Sequence, residues 1–217
     1  MQIVWKGQSC FQISTQKSKD SQVNIVIDPF GPELGLRMPN LTADIVLVTH
    51  DHPDHDNVKA VGGNPLVINS PGEYEIKEVY VRGINSWHDD TEGKERGGNT
   101  IYVIEAEDLR ICHLGDLGQK ELTDEQLEAI GEIDVLMVPV GGNFTISEKE
   151  AMKIMSQIEP KITIPMHYLI PKLKAKLSGV EGFLKGLGIK SLVPQDKLSV
   201  KKKDILPDEA KIILLEP

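Results

Sequence analysis

Cysteine, positive charge and long apolar runs are all scarce in this chain. Its two cysteines, Cys10 and Cys112, lie far apart in apolar stretches. They cannot form a disulfide framework or a cysteine-based metal finger, and they fit two reduced, buried thiols in a cytoplasmic protein. The formal net charge is −9, which argues against long-range attraction to a phosphate backbone and so against nucleic acid as partner. No apolar run approaches the ~18 residues of a spanning helix, so no membrane partner is expected. Residues 1–6 lack the charged start, apolar core and cleavage site of a secretory leader. Repeats, low-complexity segments and linkers are missing too, so residues 1–217 are expected to form one domain. With 40% hydrophobic and 26% charged residues, the composition is that of a soluble globular domain.

What is present is a β-rich first half and a helical second half. Residues 1–6 and 9–15 are β-type runs around Gly7-Gln8, hence a hairpin. Residues 24–28 form a strand that Pro29 stops, and 31–40 a loop. Residues 43–49 are too continuously apolar for a half-exposed strand and read as a buried central one. Residues 65–69 form another strand, and 73–85 a hairpin. A polar loop over 89–99 precedes a strand pair, 100–105 and 109–113. Thr123 with Gln126 and Ser147 with Glu150 fit capping boxes, each opening a helix. Buried strands over 135–139 and 162–165 alternate with these helices. A third helical region covers 172–187, broken near Ser178-Gly179, and short strands occupy 198–201 and 211–215. This order predicts a β-rich layered core with helices outside.

Histidine is concentrated where the central strand ends. Three of the six histidines fall in His50-Asp51-His52-Pro53-Asp54-His55. Neutral imidazole and carboxylate are ligands for zinc, iron or manganese. If the chain stays extended, His50 and His52 point the same way. Asp54 and His55 are adjacent and cannot share that geometry, so the arrangement suits two neighbouring ions. Asp54-His55 is expected at or near a helix start.

This His-x-His-x-Asp-His spacing resembles the signature of the metallo-β-lactamase superfamily. The resemblance implies an αββα sandwich, an α+β fold of two mixed β-sheets flanked by helices, with the site at one edge between the sheets. Further motifs arrive in the family's order: Asp28 closing an early strand, His88 before Gly97-Gly98-Asn99, Gly115-Asp116, and His167 after a strand. The family template implies two divalent ions, zinc first, with manganese or iron as alternatives. His50, His52 and His88 would hold one, and Asp54, His55 and His167 the other. Asp116 would bridge them together with a water or hydroxide. Asp28 and His113 would stand behind the ligands and orient them. His88 is preferred to His113 as the third ligand, because the superfamily places that histidine one strand pair before Gly-Asp. The hairpin Trp5-Lys6-Gly7-Gln8-Ser9-Cys10-Phe11, with Pro139-Val140-Gly141-Gly142-Asn143-Phe144-Thr145 and Pro165-Met166-His167-Tyr168, is similar to the branch related to L-ascorbate-6-phosphate lactonase.

That resemblance implies a hydrolase in which the bridging hydroxide attacks an ester, lactone or phosphoester bond of a small, anionic substrate. Asp54 and Asp116 would be its catalytic carboxylates. Asn143, Thr145 and Tyr168 are candidate pocket residues, and Tyr168 or His113 could donate the leaving-group proton. Lys172, Lys174 and Lys176 read first as a solvated face. The alternative is a nuclease or phosphodiesterase of the RNase Z type. It is disfavoured because no domain-sized insertion fits between Asp116 and His167, and because the chain is acidic. A homo-oligomer is compatible with the sequence.

Overall fold

The computed structural model describes residues 1–18, 21–206 and 209–217. The continuously apolar run becomes the strand Ile45–Leu47, buried at every residue. It belongs to a six-stranded sheet ordered Leu198–Ser199, Gln2–Gly7, Cys10–Ser18, Ser21–Ile27, Ile45–Leu47, Leu66–Ile68. A seven-stranded sheet is ordered Lys211–Ile212, Ile162–Met166, Val135–Pro139, Leu109–His113, Gly98–Ala106, Val79–Trp87, Gly72–Ile76. Both sheets are mixed. Antiparallel hairpins make one side of each and parallel strands the other. The two mixed sheets with their few helices make an α+β sandwich, the architecture the family resemblance implied.

One continuous apolar cluster joins the two sheets. Each large aliphatic side chain buried in it contributes roughly 1.5–3 kcal/mol by leaving water. Polar ties cross the interface as well. The Tyr102 hydroxyl donates to the carbonyls of Val48 (2.9 Å) and Ile68 (3.2 Å), and Thr100 N–H donates to Thr49 O.

Strand direction explains why the candidate ligands from distant segments meet. Ser21–Ile27 runs parallel to Ile45–Leu47, so Asp28 and Thr49-His50 leave the first sheet at one edge. Leu109–His113, Val135–Pro139 and Ile162–Met166 are mutually parallel, so Gly115-Asp116, Gly141 and His167 leave the second sheet together. Val79–Trp87 runs in the same sense, two antiparallel steps away, and delivers His88.

Both capping boxes form, at helix α1 (Asp124–Ile130) and helix α2 (Glu148–Ile158). Helix α2 buries Ala151, Ile154 and Ile158, a stripe at helical spacing. One expectation fails and another holds only in shortened form. Within 172–187 only helix α3 (Glu181–Gly186) is helical. The stretch before it spends its backbone groups on other segments: Lys174 N–H donates to Leu34 O, and Ser178 N–H to Gly141 O. Asp54-His55 lies in a turn just before a short 3-10 helix, Val58–Ala60, with Asn57 at its N-cap, so the nearby helix start is a single 3-10 turn. His55 and Asp56 N–H both donate to His52 O, and Asn57 N–H is drawn off to Pro29 O. Among the described residues no helix is long and apolar enough to cross a membrane.

Candidate metal centre

Asp28 organises the histidine stretch from behind. A carboxylate only accepts hydrogen bonds. Its Oδ1 takes Thr49 N–H (2.8 Å), and its Oδ2 takes the Thr49 hydroxyl (2.8 Å) and His55 Nδ1 (3.0 Å). Because the Thr49 hydroxyl gives its proton to Asp28, its oxygen accepts from His50 Nδ1, 2.9 Å away. Both imidazoles therefore carry their proton on Nδ1 and present a bare Nε2. His50 Nε2 and His55 Nε2 are buried with no hydrogen-bond partner among the described residues.

Asp116 is the hub of the site. Its Oδ2 lies 3.1 Å from His167 Nε2, 3.2 Å from His55 Nε2 and 3.7 Å from His88 Nε2. Its other oxygen accepts from Ser9 Oγ at 2.9 Å, and its N–H donates to Asn99 Oδ1 at 3.0 Å. Asn99 in turn donates to Leu114 O and Ser86 Oγ. Donor atoms of His50, His52 and His88 lie within 4.8 Å of one another, as do those of His50, His55 and Asp116. Asp54 approaches the second trio, with its Oδ2 3.6 Å from His55 Nε2.

His88 and His167 are held differently. The Nδ1 of each is buried without a hydrogen-bond partner among the described residues, so the backbone fixes these rings. His88 N–H donates to Gly97 O, while Gly118 N–H donates to Trp87 O. His167 sits at φ +50, the left-handed region, and strain of this kind gathers at functional sites. It is clamped between Gln8 O and Gly141 N–H. Two glycines permit these approaches. A Cβ at Gly118 would come within 2.3 Å of the His88 carbonyl carbon, and one at Gly141 within 2.2 Å of His167 O. Gly118→Ala is accordingly expected to cost about 1–3 kcal/mol in stability from overpacking. It should also weaken metal uptake, read by thermal melts and metal analysis. A variant with normal metal content would show that the backbone beside His88 is free to move.

Asp89 builds the loop after His88. Its Oδ1 accepts from Thr91 N, Thr91 Oγ1 and Gly93 N, and its Oδ2 from Glu95 N and Arg96 N. Burial opposes its charge, but the backbone N–H groups, Arg96 foremost, hold the carboxyl well below the usual range. A depressed carboxyl stabilises the fold above its unfolded pKa of ~3.9 and loses that contribution as pH falls further. Asp89→Asn turns an amide NH₂ toward donors. It is expected to cost about 2–3 kcal/mol at neutral pH. The gap from wild type should narrow below about pH 4 in urea melts.

Electrostatics prepare the cluster for cations. Burial pushes the His50 and His88 imidazoles down, and neighbouring imidazoles add to this. Burial also opposes charge on His55, but Asp116 and Asp28 flank it and raise it well above the ordinary imidazole value. Burial alone would raise Asp116; His167 and His55 hold it well below. The neutral imidazoles of His50 and His88 beside an ionised Asp116 are the protonation states a bound cation requires, and a cation would take the place of the extra proton that Asp116 and Asp28 favour on His55. The orphaned Nε2 atoms and the donor set thus fit divalent metal.

The other candidates are placed as follows. His113 has both ring nitrogens engaged: Nε2 with Ser9 O (2.9 Å) and Nδ1 accepting Gly115 N–H (3.1 Å). It braces the two residues beside Asp116 and has no free lone pair for a metal. Tyr168 is buried with its ring 5.0 Å from Trp5. It lines a 790 Å³ cavity that includes none of the ligand residues. Asn143 donates to Lys176 O, tying its turn to the following segment. The Thr145 hydroxyl approaches only Ile146 O, at 3.4 Å. Sequence reasoning missed the roles of Ser9, Asn99, Asp89, Gly118 and Gly141.

A model of the β-lactamase superfamily domain matches residues 2–167. A metal-dependent hydrolase of Thermococcus onnurineus is 32% identical over 189 residues, covering 75% of this chain and 82% of that protein. A Pyrococcus abyssi protein is 31% identical over 231 residues, covering 96% and 98%. Among solved structures, a candidate Zn-dependent hydrolase of the metallo-β-lactamase superfamily from Thermotoga maritima shares 39% identity. Its TM-score is 0.80, over 99% of this chain and 98% of that one.

Proposed function

The chain belongs to the metallo-β-lactamase superfamily and is a metal-dependent hydrolase; on that basis we propose that it uses two divalent ions, zinc first, to cleave an ester, lactone or phosphoester bond of a small anionic molecule. The observation that carries this reading is Asp116 Oδ2. It faces Nε2 of His55, His88 and His167, which arrive from three separate segments. Buried between two histidine sets, it is suited to be shared by two cations. His50, His52 and His88 would hold one, and Asp54, His55 and His167 the other.

When bound, such a pair lowers the pKa of a shared water and polarises the scissile oxygen. The chain's own residues do the rest. Asp28, through Thr49, keeps the His50 and His55 lone pairs aimed inward. Ser9 occupies one oxygen of Asp116 and so orients the other. The Asp54 side chain is 29% exposed against 3% for Asp116. It is therefore the carboxylate able to take a proton from the attacking water and release it to solvent. Negative charge on the substrate suits a centre holding two dications. The buried, free thiols of Cys10 and Cys112 suit a reducing compartment, so we place the enzyme in the cytoplasm.

Screening protein loaded with zinc or manganese against lactones, small phosphodiesters and RNA tests the reading. A small ester, lactone or phosphoester should be cleaved best, with all turnover lost to a chelator. RNA as the best substrate, or turnover that survives chelation, would overturn it.

A further inference from the structure

Two loops flank the centre, and one side-chain contact spans them. The loop of residues 89–97 is anchored to His88, whose N–H donates to Gly97 O. The loop of residues 141–145 is anchored to His167, whose carbonyl accepts Gly141 N–H. The Arg96 guanidinium lies over the Phe144 ring, 5.6 Å from its centroid. The contact therefore joins a loop tied to one side of Asp116 to a loop tied to the other.

Arg96 is built into place and yet lacks an acidic partner. Its backbone N–H is held by Asp89 Oδ2 at 2.7 Å, within the carboxylate cage described above. Phe144 is 40% exposed, so its ring is a platform at the surface and no part of the core. Arg82 and Arg110 each pair with a carboxylate, Glu73 and Glu105. Among the described residues Arg96 has no ion pair and no hydrogen bond from its guanidinium. An arginine stacked on an aromatic face keeps its planar fork of donors free and pre-oriented. That fork matches a carboxylate or phosphate in two-point contact.

We propose that Arg96, seated on Phe144, binds an anionic group of the substrate remote from the scissile bond and selects for substrates that carry one. This rests on the hydrolase reading above and names the chemistry that fills its substrate class. The substrate would span from the metal centre to the Arg96 guanidinium, with a carboxylate or phosphate at the far end.

The test needs no knowledge of the natural substrate. Zinc-loaded protein is titrated calorimetrically with dicarboxylates from succinate to suberate and with the monocarboxylate of matching length. One carboxylate can occupy the metal centre, so the second reports on Arg96. At one chain length or more, the dicarboxylate should bind about 10-fold or more tighter than its partner, on the scale of a charged two-point contact. Arg96→Gln should bring that ratio down to about two, the statistical factor for a ligand with two equivalent ends. Arg96→Lys should keep only part of it, because a point charge replaces the fork. Phe144→Leu should give an intermediate ratio. Metal content and melting temperature are read alongside to show that each variant is folded and loaded. Equal ratios in wild type and Arg96→Gln, or a wild-type ratio no higher than about two, the statistical factor, at every length, would overturn the inference while leaving the hydrolase reading intact. Protein that takes up no zinc would overturn both.

Discussion

Asp116→Ala is expected to abolish hydrolysis while leaving the fold in place. Three imidazole Nε2 atoms lose the oxygen they face. The Ser9 hydroxyl also loses its acceptor. Without that oxygen the centre loses metal and the water activation metal would supply, which takes the rate to background. The two sheets and their apolar cluster do not depend on this side chain. The chelated variant should therefore melt within several degrees of chelated wild type, at about 2–4 °C per kcal/mol for a chain of this size. Circular dichroism melts and elemental analysis together read both parts. Two full ions in folded Asp116→Ala would remove the residue from the centre.

Asp28→Asn carries the second large effect. Asparagine tolerates the left-handed φ of +47 at this position, so the backbone need not change. Its amide can still accept from Thr49 N–H with its oxygen. The NH₂ then faces the Thr49 hydroxyl and His55 Nδ1, where acceptors of protons are required. His55 relieves the clash by moving its proton to Nε2, which turns a donor toward the cations. Loss of such an orienting partner costs about 10–100-fold in metal affinity. The unsatisfied hydrogen bonds cost about 1–3 kcal/mol in stability as well. Competition against a chromophoric chelator measures the first and urea melts the second. Stability that falls with metal affinity unchanged would reduce Asp28 to a scaffold residue.

The sequence was most legible where chemistry is local. His50 to His55 declared metal from spacing alone, and the two capping boxes predicted helix starts from four residues each. The run of residues 43–49 led to a buried strand because nothing polar interrupts its centre, Ile45-Val46-Leu47-Val48. His88, Asp116 and His167 entered through order along the chain in the family resemblance, since no local pattern marks them. What stayed hidden depends on contacts between distant segments. Ser9 meets Asp116 across 107 residues, and Arg96 meets Phe144 only because two loops distant in the chain come together. Gly118 and Gly141 look like ordinary turn glycines until a Cβ is placed against His88 and His167. The missing helix over residues 172–180 has the same origin: Leu34 and Gly141 recruit its backbone donors. Helical propensity in that stretch was real, and tertiary hydrogen bonding overrode it.

In the proposed enzyme, Asp116 would be shared by two cations. Crystals of the metal-loaded protein, measured by anomalous scattering with elemental analysis of the same preparation, test it most directly. The expected result is two ions about 3.5–4 Å apart. One should lie among His50, His52 and His88, and the other among Asp54, His55 and His167, with Asp116 touching both. A single ion at full loading, or two ions with Asp116 outside the coordination of either, would contradict it.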